Sequence, residues 1–167
     1  MRGSVELPLL TEELVVVAPP RADWLPPART LSPSDLSRMP MLMSNRRERL
    51  HALLSTLIAE AGVVLDVRGH IDELGSLLGA VKAGHGATVL PWCAVGQEVA
   101  GGGLVVRRIR GRRLQRQLLL CRAQSLPLSA AAVAACELLH ACCRRLIDDG
   151  HWRGARLMRR SLAFEDA

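Results

Sequence analysis

Apolar and polar positions along the 167-residue chain change period several times, and each change marks a predicted element. Leu14 to Ala18 is a continuous apolar, β-branched run closed by Pro19 and Pro20, the pattern of a strand buried on both faces. A proline-bearing connection follows to Pro33, where Ser34 or Asp35 can open one helical turn before Pro40. Met39 to Met43 predicts a short strand. Asn45 to Ala61 then places Leu50, Leu53, Leu54, Leu57, Ile58 and Ala61 on one stripe, with Ser44 as cap and Gly62 as stop, which predicts an amphipathic helix. Val63 to His70 predicts the next strand. From Asp72 to Gly84, Leu74, Leu77, Leu78 and Val81 recur at i, i+3, i+4 and i+7, so a second helix presents an apolar face. Gly84 suits the left-handed residue that ends a helix. Ala87 to Leu90 is an apolar run that Pro91 should stop. Residues 39–90 therefore spell β-α-β-α-β, and right-handed crossovers of that kind imply parallel pairing in an α/β layer.

Leu104 to Ile109 and Gln117 to Ala123 predict two more strands around the basic turn Arg110 to Arg113. Ser129 should cap a last helix through Ile147, with Val133, Cys136, Leu139, Cys143 and Leu146 directed inward and Gly150 as its stop. Residues 151–167 read as an arginine-bearing tail, frayed from about Met158.

Several of these segments, in this order, carry a family likeness. The words are PLLTEELVVVAP from Pro8, LSPSDL from Leu31, PMLMS from Pro40, AGHG from Ala83 leading into a strand that closes on Leu90-Pro91, GGLVVRRI from Gly102 and PLSAAA from Pro127. Together they resemble the effector-binding domain of LysR-type transcriptional regulators, over about Val5 to Leu157. The ending DGHWRGARL from Asp149 resembles the nitrogen-assimilation-type subgroup. The resemblance implies an α/β, periplasmic-binding-protein-like, two-lobed domain with a parallel or mixed sheet, one lobe being incomplete. On that template residues 1–20 and 111–150 are part of lobe one, 21–110 are lobe two, and 151–167 are a C-terminal tail. The family's helix-turn-helix and the opening of lobe one should be missing. The strand Leu14–Ala18 and the last helix should then lack part of their cover, which favours association.

Composition narrows the function classes. The net charge is +6, but Lys82 is the only lysine among 22 strong bases, a usage that suits arginine-rich coding bias and solvated surface better than a nucleic-acid footprint. No zinc finger, groove-reading helix or aromatic RNA-binding motif accompanies the charge. The five cysteines are odd in number and include an adjacent pair, Cys142 and Cys143, which argues against a disulfide framework and for a reducing cytoplasm. No stretch reaches membrane-spanning length, and the start carries no secretory pattern. Cys93 has no partner of a nucleophilic signature, the histidines lack metal-ligand spacing, and Gly84-His85-Gly86 ends a helix rather than opening one. No enzyme, cofactor or metal site is expected.

Two strand-to-helix corners are the candidate binding positions, because open α/β sheets take ligands beyond the carboxyl ends of their strands. Ser44, Asn45 and Arg46 combine a hydroxyl, free backbone N–H groups and a guanidinium, which suits a small anion or carboxylate. Asp72, Glu73 and Leu74 match a corner that touches effector in the resembling family, though two carboxylates there repel anions and also suit a plain helix cap. Pro91 and Trp92 stand at the mouth of the third strand. The expected function is that of an effector-sensing domain, with a small-molecule effector and a homo-oligomer or full-length relative as partners. DNA would be reached only through the absent helix-turn-helix module, and no membrane partner is expected. The alternatives are a stand-alone interaction module that pairs with full-length relatives, or a periplasmic-type small-molecule binding protein.

Overall fold

In the computed structural model, Glu13–Arg116 form one compact unit, and Met1–Glu12 with Gln117–Ala167 form a second. The structure describes residues 4–44, 49–110, 114–125, 127 and 129–158. The elements in chain order are β1 Ser4–Ala18, β2 Thr30–Leu31, β3 Pro40–Met43, α1 Arg49–Glu60, β4 Asp66–His70, α2 Leu74–Lys82, β5 Thr88–Pro91, α3 Gly96–Ala100, β6 Val105–Ile109, β7 Gln115–Ala123, α4 Ala130–Asp148 and β8 Ala155–Leu157. Short 310 segments cover Pro33–Arg38 and Trp92–Ala94.

The unit Glu13–Arg116 is built around the second half of β1. Val15 to Val17 pair antiparallel with β5 on one edge, and Val16 to Ala18 pair antiparallel with β6 on the other. β2 extends the sheet as a parallel neighbour of β6. β3 and β4 pair in parallel, and a parallel bridge joins Met41 to Ala87 just before β5. Leu42 N–H donates to the Ala87 carbonyl at 2.7 Å, and Ala87 N–H donates to that of Pro40 at 2.8 Å. The predicted β-α-β-α-β thus has its parallel pairing, with β3 and β4 as a two-stranded sheet bridged to the chain entering β5 of the mixed sheet. Gly86 is required at the bridge: a Cβ there would lie 2.8 Å from the Pro40 carbonyl oxygen.

Leu14, Val16, Val17 and Ala18 are all buried, in one core with Leu31, Leu36, Met39, Met41, Val81, Val89 and Leu104. The expectation that the Leu14–Ala18 strand lacks cover is therefore corrected. β5 and β6, both later in the chain, satisfy its two edges, and the local run of apolar residues could not reveal which strands would do so. Pro91 closes its strand, as expected. It is the last residue of β5, opposite Leu14, at a position where the missing N–H costs no ladder bond from the strand interior.

The helices follow their local signals. Gly62, Gly84 and Gly150 all have positive φ just beyond helix ends, as the C-terminal stops require. Ser129 caps α4 by accepting from Ala132 N–H at 3.2 Å. Ser32 and Asp35 close a reciprocal pair at the first 310 turn. The Asp35 carboxyl is held below its ordinary range by the Ser32 hydroxyl and then by the Ser32 N–H.

In the other unit, β7 and β8 both pair with β1, and β8 aligns Leu157 with Leu10 and Ala155 with Glu12. Part of the expected tail is thus a strand. Trp152 anchors it, its indole N–H donating to buried Glu12 Oε2 at 2.9 Å. α4 departs from expectation on its packing face. Cys143 is its one buried residue, whereas Val133, Leu139 and Leu146 are 41%, 41% and 42% exposed, and Leu138 is 66% exposed. The inward assignment of Val133, Leu139 and Leu146 is corrected; Cys136, His140, Cys143 and Ile147 are the less exposed positions.

Candidate functional site

Three turns of chain converge on one cavity inside the Glu13–Arg116 unit. β3 ends at Met43 and hands over to Ser44; β5 ends at Leu90 and Pro91; Asp72 and Leu74 stand where β4 gives way to α2. Each is the carboxyl end of a strand, where side chains and helix starts turn toward the same space. The cavity encloses about 210 Å3. Its floor is apolar, from Met43, Leu54, Leu77, Val89 and Leu90, and its polar atoms come from Ser44, Asp72, Thr88 and Arg116. An apolar floor with a few polar groups is the general form of a small-molecule site, here smaller than the usual size range.

Of the sequence-predicted positions, Ser44, Asp72, Leu74 and Pro91 line this cavity. Glu73 does not. Its carboxylate turns back on α2 and accepts from Gly75 N–H at 2.7 Å and Ser76 N–H at 2.6 Å. Those bonds hold the Glu73 carboxyl below its ordinary range, Gly75 contributing most. They also occupy the donors that a helix terminus would otherwise offer an anion. Trp92 opens the 310 turn after β5, packs its indole against Gly96, and is not among the lining residues. Asn45 and Arg46 lie outside the described residues.

Arg116 is the charged cavity residue that sequence reasoning passed over. Nothing local distinguishes it from Arg107 or Arg108. Its role comes from the position of β7, which a reader of the sequence cannot place. Arg116 and Asp72 put one positive and one negative side chain into the lining, so the cavity suits a polar ligand with a defined orientation rather than a purely apolar one. Ser44 and Thr88 add hydroxyls that both donate and accept.

Among the described residues no group of three or more histidine, cysteine, aspartate or glutamate side chains could hold a metal ion. None of the five cysteines is in a disulfide. Burial, and then the neighbouring Cys142, push the Cys143 thiol above its ordinary range. No described helix is long and apolar enough to cross a membrane.

The comparisons with known proteins agree with this architecture. The family model described as the LysR substrate binding domain matches residues 2–144. No curated protein sequence matches the chain. Among solved structures, the chain is similar to the regulatory domain of MetR, a LysR family regulator from N. meningitidis. That match has 17% identity and a TM-score of 0.73, and covers 95% of this chain and 72% of that one. It is similar to the regulatory domain of CcmR from Synechocystis PCC6803, solved in complex with 2-PG, at 18% identity and a TM-score of 0.73, covering 84% of this chain and 67% of that one. It is also similar to the effector binding domain of QuiR in complex with shikimate, at 20% identity and a TM-score of 0.70, covering 86% and 66%. With the family model spanning most of the sequence and the fold shared with these regulators, the chain belongs to the LysR substrate-binding domain family.

Proposed function

We propose that the cavity within Glu13–Arg116 is the effector site of this regulatory domain, and that its ligand is a small carboxylate held by Arg116 and Ser44. The observation that carries the proposal is the convergence of Ser44, Asp72, Leu74, Pro91 and Arg116 on one cavity at the strand ends. Glu73 already occupies the first free N–H groups of α2, so an anion gains more from the Arg116 guanidinium and the Ser44 hydroxyl than from that helix end. Asp72, on the opposite sign, orients a ligand that also carries hydroxyl or amine donors. QuiR's ligand, shikimate, supports a small hydroxylated carboxylate as the chemical class. In this reading the domain binds and does no chemistry, works in the cytoplasm, and reports ligand occupancy as a shift between conformations.

Thermal unfolding against a panel of small hydroxylated carboxylates tests the proposal. A ligand at a hundred times its Kd adds about 2.7 kcal/mol of stability, enough to move the midpoint by several degrees. Arg116→Ala, with an unchanged circular dichroism spectrum, should remove the shift; Arg46→Ala should weaken it; Arg144→Ala on α4 should leave it intact. A shift that survives in Arg116→Ala places the site elsewhere. Neutral amides of the same compounds should give none.

A further inference from the structure

We propose that the cavity within Glu13–Arg116 takes a short aliphatic α-amino acid, bound as its zwitterion. Its carboxylate lies on Arg116 and Ser44, its ammonium on Asp72 and its side chain on the apolar floor. The proposal rests on the reading of this cavity as the effector site and narrows the class of ligand that the site accepts.

Depth sorts the lining. Met43, Leu54, Leu77, Val89 and Leu90 are all buried and form the floor. The charged side chains stand farther out, Arg116 half-buried and Asp72 exposed. The inner part of a ligand therefore meets carbon, and the Thr88 hydroxyl is the one polar side-chain group among the buried lining residues. A ligand that matches this order carries its charges at one end and its hydrocarbon at the other. An α-amino acid does so, because carboxylate and ammonium leave the same carbon and the side chain points away from both. The volume of about 210 Å3 keeps that side chain short.

Charge balance selects an ammonium over a hydroxyl as the group that Asp72 orients. Arg116 and Asp72 are the charged groups of the described lining, and their charges cancel. A plain carboxylate leaves one negative charge in excess beside Asp72. A zwitterion leaves none, and each of its ends meets the opposite sign. An alkylammonium also donates up to three charge-assisted hydrogen bonds, where a hydroxyl donates a single neutral one. Of the two adjacent acids at this corner, only Asp72 lines the cavity; the Glu73 carboxylate is spent on Gly75 and Ser76 N–H.

Isothermal titration calorimetry on the whole chain tests this with a matched set of probes. They are L-valine, its α-hydroxy analogue, isovalerate, which has neither amine nor hydroxyl, and the isomer of valine with its amine at the far end of an unbranched chain. L-Valine should bind most tightly, about tenfold above isovalerate, with the hydroxy acid between them. Asp72→Asn, a change at an exposed position, should weaken L-valine about threefold to tenfold. It should leave isovalerate as tight or tighter, because the same charge attracts an ammonium and repels an anion. Glu73→Gln should leave the order unchanged. If the hydroxy acid or isovalerate matches L-valine, or Asp72→Asn weakens every probe alike, the amino-acid proposal is overturned, while binding that still needs Arg116 keeps the effector reading. Tightest binding of the far-end amine overturns it too, since that isomer sets its charges apart across the hydrocarbon. Binding that survives Arg116→Ala, or no binding of any probe, overturns the effector reading itself, and the amino-acid proposal falls with it.

Discussion

The strand Leu14–Ala18 and the helix α4 are both rich in apolar residues, and they end in opposite circumstances. The strand is the most deeply buried segment of the molecule, with β5 and β6 hydrogen-bonded along its two edges. α4 is nearly four times as long, yet buries one side chain and leaves four large apolar ones between 41% and 66% exposed. Hydrophobic content does not separate them. What separates them is supply of a partner layer. A strand exposes a row of backbone N–H and C=O groups on each edge, so burying it requires neighbours on both sides, and this chain provides them from later segments. A helix satisfies its own backbone and can stand with one face wet at a modest cost in apolar area.

The largest expected effect comes from making one substitution in both regions. Leu14→Ala, in the strand, removes an almost fully buried side chain and should cost about 2–5 kcal/mol in urea unfolding. Leu138→Ala on α4 should change stability by about 0.5 kcal/mol or less, because that side chain is mostly in water already. Comparable losses at the two positions would mean that α4 is covered in solution.

A middle-sized effect sharpens how the smaller unit is held. Trp152→Phe keeps the ring but deletes the indole donor to buried Glu12 Oε2. Leaving a buried acceptor without that donor should cost about 1–3 kcal/mol, and exchange protection should fall at the amides of β8 before those of the β1–β5 ladder. Uniform loss of protection in both places would show that the two units unfold as one.

The smallest effect concerns acid. Asp35 and Glu73 both titrate below their ordinary values in the folded chain, so each contributes stability above the usual carboxylate range, and that contribution disappears as pH falls through the depressed value. Unfolding midpoints should drop on acidification below about pH 4. Glu73→Gln should be slightly less stable than the parent at pH 7 and converge with it at low pH, because glutamine keeps one acceptor and loses the charge. A constant gap between the two proteins from pH 7 to pH 3 would exclude the cap carboxylate as its source.

How much of the site could be read in advance divides along the same line. Ser44, Asp72, Leu74 and Pro91 were legible because each sits at a strand-to-helix corner that the local pattern announces, and corners of parallel strands gather at one end of a sheet. Glu73 could be read two ways, as ligand contact or as cap, and its carboxylate accepts from Gly75 and Ser76 N–H as a cap does. Trp92 follows the right strand but turns to Gly96 rather than to the cavity. Arg116 was invisible, since a basic residue on a strand becomes a cavity residue only when that strand's neighbours are known.

The chain's own periodicities determined the kind and order of most of its elements, their caps and stops, and the β-α-β-α-β run. These depend on interactions within a few residues: the helical and strand repeats, the Ser129 hydroxyl, the left-handed glycines at 62, 84 and 150. Tertiary structure alone decided which edges of Leu14–Ala18 are paired, that Ala155–Leu157 joins a sheet, which face of α4 stays in water, and that Arg116 enters the cavity. Each of those outcomes is a contact between segments tens of residues or more apart. An apolar residue carries the same free energy of transfer whichever partner covers it, so its identity cannot name the partner.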